Sequence, residues 1–143
     1  MAITSAICNS FKQEILEAEH NFTASTGDTF NLALYDSDAT LNKSTTAYTT
    51  SEELATTGGY TAKGKALTSV TPVLDSDTAV CDFANTSWTS ASFTARGCLI
   101  FNDDNSDTSV CAIDFGGDKT VTSGTFTVEF PAAAASTAII QIA

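Results

Sequence analysis

The chain has 143 residues, 43% of them hydrophobic, and carries 17 acidic against 6 basic side chains for a net charge of −11. A chain of this length buries about 70% of its unfolded surface, which suits one domain over residues 1–143, and its apolar content is too high for a disordered acidic tail. The acidic balance argues against a nucleic-acid partner, no run reaches the roughly 20 apolar residues of a membrane helix, and one histidine leaves no His-rich metal site.

The start, MAITSAICNS, has no basic residue before Lys12 and no long apolar core, so it does not read as a secretory leader. Ile3, Ala6, Ile7, Phe11, Ile15 and Leu16 recur every three to four residues and predict an amphipathic helix over about residues 4–18. Thr4 or Ser5 is placed to cap it, and His20 to stabilise its C-terminal end. A β-rich body over about 29–143 follows. Phe30, Leu32 and Leu34 alternate with Asn31, Ala33 and Tyr35 in a half-buried strand. Thr40–Thr57 reads as a Thr- and Ser-rich loop with a helical turn at Ser51–Leu54, and Gly58-Gly59 as a turn.

Leu67–Val73 reads as a strand that Pro72 makes an edge or terminal piece. Thr78–Phe83 and Ser92–Phe101 follow, the latter with Phe93, Ala95, Leu99 and Phe101 on one face and Ile100 on the other. Apolar residues on both faces place it centrally. Thr108–Phe115, Thr125–Phe130 and Ala138–Ile142 complete the set, with turns at Asn102–Asp107 and Gly116–Asp118. About seven short strands and about two dozen threonines predict a mainly β fold: an antiparallel β-sandwich or barrel with an N-terminal α-helix.

The cysteines Cys8, Cys81, Cys98 and Cys111 form no C-x-x-C pair. Buried reduced thiols are expected over disulfides, on the compartment argument. No G-x-S-x-G or phosphate-binding loop occurs, and His20 has no nearby partner for nucleophilic catalysis in the sequence. The acidic stretches Asp36–Asp38, Asp75–Asp77 and Asn102–Asp107 read as solvated turns ahead of cation sites. Trp88 reads as a core or interface anchor. No catalytic, cofactor-binding or metal-binding residue is assigned, no cofactor is expected, and an enzyme is not expected.

Several segments, MAITSAICNSFKQEIL, TFNLALYDSDATLNKSTTAY, GGYTAKGKAL, ARGCLIFND, AIDFGGDKTVTSGTFTVEFP and AIIQIA, taken in order, resemble a family of small virion structural proteins of tailed bacteriophages, particularly of marine and cyanobacterial hosts. The resemblance implies a non-enzymatic particle component. The favoured placement is a capsid decoration (cement) protein on the outside of the major capsid protein shell, as a homo-oligomer such as a trimer. A tail, collar or fibre adaptor is the alternative, and a carbohydrate-binding β-sandwich module a more remote one. The expected contact surfaces are the Ile7/Phe11/Ile15 stripe and the Ile140/Ile142 end.

Overall fold

In a computed structural model describing residues 2–143, the chain is mainly β, with two antiparallel sheets and one short helix near the N-terminus in a sandwich-like arrangement. The elements are β1 (Ala6–Ile7), α1 (Asn9–Leu16), β2 (Phe30–Tyr35), β3 (Lys65–Ala66), β4 (Ser69–Asp75), β5 (Thr78–Phe83), β6 (Thr86–Asn102), β7 (Thr108–Val128) and β8 (Ile140–Ile142). The larger sheet runs β1-β7-β6-β2-β3 and the smaller β4-β5-β8.

The predicted helix is shorter than its apolar spacing suggested. Residues 6–7 form β1, pairing Ala6 with Ala112 and Ile7 with Cys111, while Ile3 bridges Leu41 in parallel. Thr4 and Ser5 therefore cap nothing. Cys8 occupies the N-cap position without a side-chain hydrogen bond, and Ser5 Oγ instead accepts the Asp114 N–H. β-Branched Ile3, Thr4 and Ile7 suit extended backbone; the edge of β7 pairs Ile7, while the Thr4 N–H donates to the Leu41 carbonyl.

One apolar cluster fills the space between the sheets. It joins Leu32, Leu34, Cys98, Ile100 and Cys111 of the larger sheet to Cys81, Phe83 and Ile140 of the smaller, with Phe11 and Phe22 alongside. Phe22 and Phe30 stack at 4.2 Å between ring centroids. A second cluster covers the opposite face of the larger sheet: Ala33, Tyr35, Leu99, Phe101 and Ala112 meet Ile3, Ala39 and Leu41. β2 and the second half of β6 are thus buried on both faces, which accounts for their nearly unbroken apolar runs.

β6 and β7 are longer than their sequence patterns indicated, and the faces within β6 differ from the simple alternation. Phe93 and Ala95 share the inter-sheet cluster with Cys98 and Ile100, whereas Leu99 and Phe101 point the other way. The switch falls at Arg96–Gly97, where the ladder register also jumps. Gly116–Asp118 is not a turn between two strands but part of a bulge within β7. Ala95 pairs with Lys119 and Gly97 with Asp114, so the four residues Phe115–Asp118 face Arg96 alone. Arg96 Nε donates to Asp114 Oδ1 at 2.9 Å and its Nη1 lies 4.0 Å from Asp118, so one guanidinium spans the bulge. Gly116 has φ +79°, a conformation that favours glycine. Ser51–Leu54 is a turn without helix, and Leu54 N–H donates to the Leu34 carbonyl.

Candidate functional site

α1 presents Phe11 to the core, half-buries Ile15 and leaves its last residue, Leu16, in solvent. Phe11 is 3% exposed, against the rings of His20 at 5.0 Å and Phe22 at 5.9 Å, whereas Leu16 is 88% exposed. His20 does not decorate the helix end as its position suggested. Its ring is buried, with Nε2 2.7 Å from Glu14 Oε2 and Nδ1 3.0 Å from Asn102 Nδ2. Asn102 Nδ2 also donates to Asp28 Oδ2 at 2.8 Å. The assigned amide orientation makes Nδ1 an acceptor, so Nε2–H donates to Glu14. The network ties the end of α1 to the β6–β7 corner.

The two surfaces singled out from sequence meet. Phe11 and Ile15 from α1 and Ile140 and Ile142 from β8 line one apolar hollow of about 120 Å³, completed by residues including Phe22 and Pro72. The register explains the meeting. Leu74 pairs with Ala79 and Ala79 with Ile142, so these three form a row on the face that also carries Cys81 and Ile140. That face is core at Cys81 and emerges into solvent at its far end, where Leu74 is 75% and Ile142 57% exposed. Ile7, the third member of the predicted stripe, pairs with Cys111 on β7 and does not line the hollow. Leu16 and Leu74 were missed by sequence reasoning. Leu16 follows the apolar spacing of the helix yet is exposed, and Leu74 lies one residue beyond the predicted strand.

A second concavity, about 590 Å³, follows the free side of β7. Phe115, Val121, Phe126, Val128, Phe130 and Ile139 supply its apolar lining, with Lys119 and Glu129 also contributing. Aromatic rings continue inward from it: Phe126 lies 5.1 Å from Phe93 and 6.2 Å from Trp88, and Trp88 lies 6.1 Å from Tyr60. Trp88 is buried, with Lys65 Nζ 5.7 Å from its ring centre, so it serves as a core anchor and not as an exposed platform for sugars.

The polar clusters have structural work. Glu53 accepts hydrogen bonds from Tyr48 Oη at 2.5 Å, Tyr60 Oη at 2.7 Å and the Lys63 N–H at 2.6 Å. Burial, reinforced by Glu53, pushes the Tyr48 hydroxyl up to about 12 and Tyr60 higher still. Asp103 and Asp107 pair with Lys63, Asp104 accepts the Thr29 N–H, and Asp75 accepts the Ala135 N–H. Asp36, Asp38 and Glu52 bring carboxylate oxygens within 4.8 Å of one another at the surface, where Asp36 also accepts the Asp38 N–H in a turn. Asp82 is buried, and burial raises its carboxyl above the usual range; Oδ1 accepts the Phe83 N–H while Oδ2 has no hydrogen-bond partner among the described residues.

All four cysteines are free and buried within the inter-sheet cluster. Desolvation pushes the Cys81 thiol up to about 12 and holds Cys98 and Cys111 high as well, so thiolate chemistry is suppressed.

The chain matches no protein-family model, no curated protein and no solved structure.

Proposed function

We propose that the protein is a non-enzymatic structural component of a tailed-phage virion, a decoration protein that docks on the outer surface of the major capsid protein shell. The observation carrying this reading is the apolar patch at the end of α1 and the open end of the smaller sheet. There Ile142 lines the hollow and is exposed, Leu74 is exposed in the same row across Ala79, and the exposed Leu16 directly follows Ile15, which lines the hollow from α1. Apolar surface gathered around a concavity, on a chain with a net charge of −11, fits docking to another protein. The sequence resemblance to small virion proteins supplies the partner, and a rigid β scaffold with a buried apolar core suits a component bound in many copies.

Co-sedimentation with undecorated shells tests the reading. Saturable pelleting with shells, and hundreds of copies in purified particles, is the expected result. A copy number of about a dozen, with no shell binding, would favour a tail, collar or fibre adaptor through the same patch. Absence from purified particles refutes any virion role.

A further inference from the structure

We infer that the free edge of β7 and its adjoining cleft receive β4 of a second copy of this chain, giving head-to-tail self-association. Three observations carry the inference. Among the described residues β7 is paired on its outer side only near its start, by β1 at Cys111 and Ala112 and by a bridge from Ala47 to Thr108. From Lys119 to Val128 its ladder, among the described residues, runs to β6 alone, so that edge offers main-chain donors and acceptors beside the 590 Å³ apolar cleft. A free edge flanked by apolar pockets fits an added strand better than a compact ligand.

The chain also carries a segment suited to that place. β4 pairs only with β5, and it is the longer of the two edge strands in its sheet. Its Val70 and Val73 are 39% and 52% exposed. At about 3.3 Å per residue its seven residues span at most about 23 Å, within the length of β7 from Lys119 to Val128. β4 bulges between Val70 and Val73 and Pro72 has no N–H to donate, so the added ladder rests on the two ends of the strand and on Val70 and Val73 in the cleft.

Charge chooses the direction. β4 ends in the acidic stretch Asp75-Ser76-Asp77, while the cleft has Lys119 towards one end and Glu129 at the other. Antiparallel addition brings Asp75 and Asp77 towards Lys119, whereas parallel addition would bring them towards Glu129. Because the two surfaces differ, each copy donates one and receives on the other, an arrangement that closes into a ring when the rotation permits. The donated strand also carries Leu74 of the proposed shell-docking patch, but the receiving cleft shares no residue with that patch, so association measured without shells tests the self-contact alone.

Sedimentation velocity and native mass spectrometry of the purified full chain test it without shells. The wild type should associate with rising concentration. Val73→Asp spoils the donated edge and Val121→Asp the receiving cleft; each should weaken association at least about tenfold. Circular dichroism checks that both remain folded. An equimolar mixture of the two variants should form dimers, because one intact edge still meets one intact cleft, but nothing larger. Lys119→Glu, on an exposed side chain, should weaken association up to about fivefold, and adding Asp77→Lys should restore it. A monomeric wild type throughout, a small molecule retained in the cleft of a monomer, or variants of which only one weakens association would each overturn the inference. So would a mixture that stays monomeric while the wild type associates.

Discussion

Replacing Leu16 and Ile142 together by serine separates folding from docking. Full burial of a Leu or Ile side chain contributes about 1.5–3 kcal/mol. Leu16 is 88% exposed and Ile142 57%, so most of that contribution is still unrealised for the first and about half for the second. Covering both on a partner is worth about 3 kcal/mol, and losing it weakens docking about 150-fold. The fold loses little. Leu16→Ser falls within about 0.5 kcal/mol, and Ile142→Ser costs about 1 kcal/mol through its buried half, a Tm drop of a few degrees. Phe11→Ala, by contrast, removes a buried ring and should cost about 3–5 kcal/mol, making it a poor probe of docking. Shell pelleting over a range of protein concentrations, beside thermal unfolding by circular dichroism, reads both quantities. Wild-type shell affinity in the folded double variant would refute the patch as the docking surface.

Gly64 has φ +70° and an added Cβ would sit 1.9 Å from the Leu32 carbonyl oxygen, so Gly64→Ala should destabilise by about 2–4 kcal/mol, measured by denaturant unfolding. All three tyrosines have raised hydroxyl pKa values, with burial the leading cause each time. Because the folded values lie above the unfolded value of about 10, their stabilising effect is complete below pH 10 and declines as pH rises towards the folded values. Ultraviolet titration should therefore show tyrosinate appearing with alkaline unfolding and not as a separate step near pH 10. Asp82 has the same sign: its raised carboxyl pKa makes its contribution to stability greatest while it is protonated and smaller as pH rises through the folded value. Asp82→Asn, which cannot ionise, should therefore flatten the pH dependence of stability in the acid range, read by denaturant unfolding at several pH values. A thiol reagent such as DTNB should leave all four cysteines unmodified in the native protein and label them after denaturation.

Alternation and turn residues made much of the β architecture legible, because burial imposes a two-residue period directly on a strand. Thr78–Phe83 matches β5 end for end, and Pro72 correctly marked an edge strand. Errors arose where long-range pairing overrode local pattern. Ile3 and Ile7 fit a helical stripe equally well, and only the partners Leu41 and Cys111, distant in sequence, make them extended. Gly116-Gly117 has the composition of a turn, yet the two flanking stretches continue along one partner strand. The patch was half legible: Ile15 and Ile142 were identified, but their meeting depends on how β8 seats against β5, which no local signal reports.

The Arg96-spanned bulge in β7 also marks where the chain can accommodate a change in length. Register is fixed on one side by Ala95 with Lys119 and on the other by Gly97 with Asp114. A side chain added at Gly116 or Gly117 would meet nothing within 4 Å. Residues grafted between these glycines would loop outward while both ladders kept their pairing, making this a natural seam for splicing in a foreign epitope or an affinity tag.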